Sequence, residues 1–186
     1  MRFTSFVFLL IFMGCFFSDA VAQNQPDTAS IEGIKKLIRQ STYYDSVKVF
    51  YYGEKAINMA KSQQSLSDEA TIYQYYGNFC YFSKNYAKAK TYYQKSIEIS
   101  EKAGDDKLTN KTKVRINFIL VDENMLQAEK EFNEILEEAK KNGFTENQIE
   151  CLNGLGIIYE QRQMFDKALD YYLKALKIAE ETLALK

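Results

Sequence analysis

Four stretches of the sequence share one spacing of apolar or small residues, and this repetition constrains the fold more than any other feature. Each stretch carries such residues at positions i, i+4, i+7 and i+11, which trace one face of an α-helix. Successive stretches are offset by 40, 39 and 40 residues. Period-2 alternation, which is typical of strands, is missing from them. The stretches are Val49, Gly53, Ala56, Ala60; Ala89, Tyr93, Ser96, Ser100; Ala128, Phe132, Ile135, Ala139; and Ala168, Tyr172, Ala175, Ala179.

A partner helix precedes each stretch. Its apolar spacing is clearest in two places, where Gly77 and Gly156 occupy the same position of the pattern. A helical glycine costs about 1 kcal/mol relative to alanine, so its recurrence predicts a close helix crossing. A short turn separates the two helices of a pair, and a break that contains glycine or asparagine separates one pair from the next. We therefore expect eight helices in antiparallel pairs. The turns are Ser83 to Tyr86, Asp122 to Met125 and Gln161 to Phe165, and the breaks are Gly104-Asp105-Asp106 and Asn142-Gly143.

The fourth unit resembles the tetratricopeptide repeat, with its large residue, Leu-Gly, Tyr, Ala, Tyr and Ala at the offsets of that family. The resemblance covers residues 30 to 186 and implies a right-handed all-α superhelix of about four helix pairs. Repeats are expected at about 30–69, 70–108, 109–148 and 149–186. A spacing near 40 residues is similar to the longer subclass found in exported bacterial proteins. The matching residues are Leu152, Leu155, Gly156, Tyr159, Ala168, Tyr172 and Ala175.

Two units depart from this pattern. In the third, Arg115-Ile116 stands in place of Leu-Gly. In the first, Gly33, Lys36-Leu37 and Gln40 occupy the signature positions, and a turn at Tyr44-Asp45 leaves the register of the first helix open. Degenerate terminal repeats are expected in a solenoid, because one side lacks a neighbour.

Residues 1–22 have the pattern of a secretory signal peptide, and residues 23–29 are expected to be a short linker. Arg2 precedes an apolar run from Phe3 to Phe17, and Ala20-Val21-Ala22 provides a small-x-small cleavage site before Gln23. We expect export to the periplasm or the exterior, with no membrane span in the mature chain. Two alternatives stay open, namely an uncleaved membrane anchor and lipid modification at Cys15.

Cys80 and Cys151 would remain in the mature chain. An oxidising compartment permits disulfides, but these residues lie two repeats apart. Stacked helical layers about 8–10 Å apart would place them beyond the roughly 7 Å Cα limit for a disulfide. Both are therefore predicted to be small buried residues.

Composition excludes several classes of function. The net charge is −1 and no run of like charge occurs, so a phosphate-binding surface for nucleic acid is not expected. The sequence contains no histidine, which removes Ser/His and Cys/His nucleophile pairs and imidazole metal ligands. No motif for a nucleotide, metal or cofactor is found, and we expect no enzyme activity.

The family resemblance implies a groove lined by the first helix of each pair, which would hold a protein or peptide partner. Lys113 and Asn117 also stand where some members of the family hold a terminal carboxylate, which is an alternative to an ordinary solvated lysine. Matching the family's groove positions gives Gln74, Asn78, Tyr81, Phe82, Lys113, Asn117, Leu120, Asn153, Ile157 and Glu160.

The expected function is a non-catalytic scaffold that binds a protein or peptide outside the cytoplasm. The alternative is a sensory input region of a membrane-bound signalling protein whose output domain is not in this chain. The last helix also carries an additional stripe of leucines, for which we expect self-association or cover by further helix beyond Lys186. The stripe comprises Leu169, Leu173, Leu176 and Leu183.

Overall fold

Eight α-helices make up almost all of the chain that the computed structural model describes, which is residues 27–41 and 46–184. No strand occurs within those residues. The predicted signal peptide, most of the predicted linker and the turn at Tyr44-Asp45 lie outside them. The helices are α1 (Ile31–Ser41), α2 (Ser46–Ser62), α3 (Leu66–Phe82), α4 (Tyr86–Ala103), α5 (Asp106–Glu123), α6 (Met125–Lys141), α7 (Thr145–Gln161) and α8 (Phe165–Ala184).

The four repeated stretches form the buried faces of α2, α4, α6 and α8. In the first three of these helices every residue of the stretch is buried, including Tyr93 and Phe132 at 0% exposure. In α8 the stretch is less covered, since Tyr172 and Ala179 are only partly buried. Each helix packs against the one before and the one after it, and alternate helices α1, α3, α5 and α7 also touch in sequence. The prediction of an all-α solenoid of four helix pairs is confirmed.

Side chains just outside the helices determine where several of them begin. Ser65, Asn85, Asp105 and Asn124 each accept a hydrogen bond from a backbone N–H of the first turn of the following helix, which satisfies a donor that the helix itself cannot pair. Because Asp105 is such a cap, α5 begins at residue 106, ahead of the expected repeat boundary at 109. The break after α4 is formed by Gly104, whose φ of 67° is the left-handed conformation that glycine adopts most readily.

The two helical glycines singled out in the sequence lie at close helix crossings, as predicted. A Cβ atom on Gly77 would come within 2.3 Å of the Tyr93 ring, and one on Gly156 would come within 2.4 Å of the Tyr172 ring. Each glycine thus makes room for an aromatic ring of the second helix of its own pair. Cys80 and Cys151 are free and buried, as expected for small core residues.

The interior contains apolar clusters joined by a polar seam. One cluster lies in the first two pairs around Ile34, Ile72 and Tyr76, and another lies in the last two around Phe132 and Leu155. Between the second and third pairs, a third apolar cluster around Tyr93 and Ile119 lies beside hydroxyl and amide groups that are buried and hydrogen-bonded. This polar seam comprises Gln74, Ser96, Ser100, Thr109 and Thr112.

Hydrogen bonds in the polar seam cross from one pair to the next. Gln74 Nε2 donates to Thr112 Oγ1 at 2.7 Å, and the hydroxyls of Ser100 and Thr109 lie 2.6 Å apart. Within the second pair, Ser96 Oγ donates to the carbonyl oxygen of Ala70 at 2.8 Å. Buried polar groups need such partners, because an unpaired one costs on the order of 1–3 kcal/mol.

Candidate functional site

The first helices of the four pairs line one face of the solenoid, and a cavity of about 570 Å³ lies on that face. The helix α3 contributes one wall and α5 the other, while α1 and α7 close the two sides. We call this cavity the groove. Its lining mixes aromatic, amide and charged side chains and comprises Arg39, Thr71, Gln74, Tyr75, Asn78, Phe82, Asp105, Lys107, Leu108, Lys111, Arg115 and Glu146.

A second, smaller cavity of about 170 Å³ adjoins the groove at the C-terminal end of α3. We call it the side pocket. It shares three lining residues with the groove, Asn78, Phe82 and Arg115, so the two cavities are neighbours on one surface. Its other walls are Tyr81, Tyr93 and Phe118.

Four predicted groove residues on α3 lie at these cavities. Asn78 and Phe82 line both, Gln74 lines the groove and Tyr81 lines the side pocket. Phe82 is 48% exposed. Gln74 is buried and its amide already donates to Thr112, so it offers little to a ligand.

On α5 the structure places different residues at the groove from those that the family positions indicated. Asn117 is fully buried, and its amide donates to the carbonyl oxygen of Ala128 at 2.8 Å. Lys113 and Leu120 are partly buried and line neither cavity. Lys113 and Asn117 therefore do not form an exposed pair that could hold a terminal carboxylate.

The residues of α5 that do face the groove are Lys107, Leu108, Lys111 and Arg115. Successive residues of a helix are rotated by about 100° around its axis. An error of one or two positions in aligning this unit with the family pattern therefore assigns the wrong face of α5 to the groove. The signal was present in the sequence, because Lys107, Lys111 and Arg115 follow a four-residue spacing that places them on one side of a helix.

The predicted residues of α7 lie outside both cavities. Ile157 packs against the apolar cluster of the last two pairs, and Asn153 is partly buried. Glu160 is exposed and accepts a hydrogen bond from the hydroxyl of Tyr172 at 2.7 Å. The helix α7 reaches the groove only through Glu146, near its beginning.

Ion pairs between α5 and α7 hold the basic side of the groove in place. Lys111 Nζ lies 2.9 Å from Glu146 Oε1, and this hydrogen bond is the main reason that the pKa of Glu146 is lowered. Arg115 is paired with Glu150, whose pKa is raised because its carboxyl group is buried. The Nε atom of Arg115 is buried and has no hydrogen-bond partner among the described residues.

Among the described residues no group of three acidic or cysteine side chains is arranged to hold a metal ion. No helix in that part of the chain is long and apolar enough to span a bilayer.

The final helix presents the stripe of leucines that the sequence indicated. Leu169, Leu173, Leu176 and Leu183 are 56%, 54%, 52% and 70% exposed. Large apolar patches on a protein surface usually mark an interaction site. This stripe lies on α8, whereas the groove is formed by the first helices of the pairs.

Comparison with protein families gives two matches, both to models described as tetratricopeptide repeat. One covers residues 115–181 and the other residues 70–102. The first includes half of α5, the whole of α6 and α7 and most of α8, and the second covers most of α3 and α4. Comparison with curated proteins gives no match.

Proposed function

Because this chain is built of tetratricopeptide repeats, we propose that it is a non-catalytic scaffold whose groove binds a protein or peptide partner. Proteins made of these repeats stack helix pairs into an extended concave surface that serves for binding. The observation that carries the proposal is the 570 Å³ groove between α3 and α5. Its aromatic rings can anchor a partner, and its amide and charged groups can orient one.

The partner is proposed to meet this scaffold outside the cytoplasm. Support comes from the sequence of residues 1–22, with its basic start, apolar run and small-x-small site. The intact mass of the protein from its native host should correspond to a chain that begins at Gln23. A chain that begins at a lipid-modified Cys15, or one that retains Met1, would contradict this assignment.

The groove proposal is tested by affinity capture with matched variants. The wild type, a Phe82→Ala plus Lys107→Glu variant and a Lys55→Glu control serve as baits for an extract of the compartment where the protein resides. Lys55 is exposed on α2 and lines neither the groove nor the side pocket. Proteins retained by the wild type and the control should be lost from the groove variant.

Circular dichroism should show that the groove variant is folded, since both substitutions are at exposed side chains. Equal capture by a folded groove variant would show that the binding surface lies elsewhere on the solenoid. The experiment therefore separates a loss of the surface from a loss of the fold.

A second contact is proposed at the leucine stripe of α8, with another copy of this chain as its partner. The stripe is apolar and exposed, and burial contributes about 25 cal/mol per Å² of apolar surface. A symmetric dimer buries the same patch of both copies, so the leucine stripe of each copy would shield that of the other from water.

A further inference from the structure

One member of the leucine stripe lies where each earlier repeat is covered by the next one. By the offsets of 40, 39 and 40 residues, Leu176 corresponds to Ile57, Ile97 and Leu136, and all three of these are buried. Leu176 itself is 52% exposed. A further helix pair stacked on α8 in the same way would therefore cover this residue.

Other members of the stripe do not follow that rule. Leu173 corresponds to Gln94 and Asn133, which are polar and remain exposed although a further pair follows each of them. Leu183 corresponds to Gly143, which lies in the turn after α6, so the stripe continues past the length of that helix. A further repeat would leave Leu173 uncovered, whereas a helix that lies along α8 would cover the whole stripe.

The spacing of the stripe is typical of a helix that pairs lengthwise with another helix. Its four leucines are separated by four, three and seven residues. This alternation of three and four places apolar side chains at the a and d positions of a heptad. Glu180 occupies the remaining position of the series and is exposed. The stripe therefore has the pattern of a short contact between two helices, with one polar position.

Charges on one flank of the stripe favour a second copy of α8 as the occupant. Asp170 and Lys177 are exposed and lie seven residues apart, so both follow the stripe on the same side. Lys177 forms no ion pair with the described residues. Asp170 pairs with Lys174 of its own helix at 2.6 Å, and a carboxylate can accept further hydrogen bonds. The flank thus offers one charge of each sign to a partner.

The direction of the second helix follows from these charges. If the two helices ran in the same direction, this flank would face the opposite flank of the other copy, which carries Tyr172 and Ala179 and no charge. If they run in opposite directions, it faces the same flank with the order of residues reversed, so that Asp170 of each copy meets Lys177 of the other. A shift of the register by one heptad would instead set like charges against each other.

We propose that the leucine stripe pairs with the same stripe of a second copy in an antiparallel arrangement, with Leu173 of each copy against Leu176 of the other and Asp170 against Lys177. The proposal rests on the self-association proposed above and specifies its geometry. A two-fold axis relates the copies, so the ion pair forms twice and the assembly closes at a dimer. None of the residues that line the groove lies on α8, so the dimer presents two free grooves.

Charge reversal tests the arrangement by sedimentation equilibrium at low salt. Asp170→Lys and Lys177→Asp should each weaken the dimer by about fivefold or more, because each change sets like charges against each other at both symmetric positions. The two substitutions together on one chain should restore the affinity, because the charges are exchanged but stay complementary. The controls Glu101→Lys and Lys55→Glu change the charge of exposed residues outside the stripe and should dimerise as the wild type does.

Disulfide cross-linking tests the same proximity directly. Chains with Asp170→Cys and chains with Lys177→Cys should cross-link when they are mixed and oxidised, and neither should do so alone. Seven residues of a helix span about 10 Å, which exceeds the roughly 7 Å between Cα atoms that a disulfide permits. The wild type is the control, since Cys80 and Cys151 are buried.

Other outcomes separate this geometry from self-association itself. A dimer that Leu173→Glu plus Leu176→Glu disrupts, but that the single charge reversals leave unchanged, would overturn the antiparallel pairing and retain the leucine contact. A dimer that survives the leucine substitutions, or a wild type that stays monomeric at high micromolar concentration, would overturn both.

Discussion

The ammonium group of Lys90 on α4 is ion-paired with the carboxylate of Glu123 at the end of α5. The same relationship recurs one repeat later with the charges exchanged, because Glu129 on α6 pairs with Arg162 after α7. Both partners move by 39 positions, from 90 to 129 and from 123 to 162. The position therefore requires opposite charges but not a particular polarity.

The Lys90 pair yields a test of that statement. Lys90→Glu should lower the free energy of unfolding by up to about 1 kcal/mol, since it sets two carboxylates against each other and the pair is partly exposed. Adding Glu123→Arg should restore the loss by reproducing the polarity of the next repeat. Urea denaturation at low salt measures both variants, and an equal stability of the single and double variants would contradict the interpretation.

Glu129 should give a stability that depends on pH. Its pKa is lowered, first by the hydrogen bond from Tyr159 at 2.5 Å and then by Arg162 at 2.6 Å. The first of these bonds also raises the pKa of Tyr159 to about 12. A lowered folded pKa means that the contribution is complete above the unfolded value of about 4.5 and is lost as the pH falls through the folded value.

Glu129→Gln should therefore lower the free energy of unfolding by about 1–2 kcal/mol at pH 7. At pH 3 the wild type and the variant should differ by less, because this pH lies below the unfolded pKa of about 4.5 and part of the contribution is then lost. Denaturation curves at the two pH values test this. A difference that stays constant between them would show that the charge of Glu129 is unimportant.

Gly77→Ala should destabilise the protein although alanine is the better helix former. The gain in helix propensity is about 1 kcal/mol, but the new Cβ would lie 2.3 Å from the Tyr93 ring, in a core that cannot easily move. Overpacking of this kind typically costs about 1–3 kcal/mol. We expect a net loss, measured by thermal or urea denaturation.

The cause is isolated by a double-mutant cycle. Tyr93→Leu destabilises by itself, but Gly77→Ala in that background should cost less than in the wild type, because the ring that it displaces is gone. Additive effects of the two substitutions would mean that the ring is not what excludes a side chain at position 77.

Self-association through α8 is checked by sedimentation or light scattering on the full chain. The wild type should dimerise, and Leu173→Glu plus Leu176→Glu should make it monomeric, because charged side chains in the stripe oppose its burial. Leu126→Glu serves as the control, since Leu126 is 75% exposed on α6 and lies outside the stripe. A wild type that remains monomeric at high micromolar concentration would rule out this contact.

The sequence predicted the helices better than the groove, and the reason lies in what each depends on. Ala89, Tyr93, Ala128 and Phe132 are core residues whose spacing follows from the helix period, and the structure buries all of them. A groove position depends instead on the rotation of one helix. On α5 the Leu-Gly of the repeat signature is replaced by Arg115-Ile116, so the sequence did not determine the rotation of that helix.

Asn117 shows the consequence of this ambiguity. An asparagine amide can lie in a groove or in a core. The structure shows the core position, because α6 packs beside Asn117 and the Ala128 carbonyl accepts its hydrogen bond. Phe82, by contrast, lines both cavities, and it lies on α3, where a recognisable Tyr76-Gly77 signature fixes the register. Arg115 was missed as a groove residue because its position was read only as a departure from the repeat pattern.

The polar seam between the second and third helix pairs affects the shape of the whole solenoid. Apolar burial is non-directional, whereas the hydrogen bonds from Gln74 to Thr112 and between Ser100 and Thr109 are directional and short. The seam therefore helps to fix the angle between the second and third helix pairs. Since the groove spans this seam, with α3 on one side and α5 on the other, the same hydrogen bonds influence the width available to a ligand.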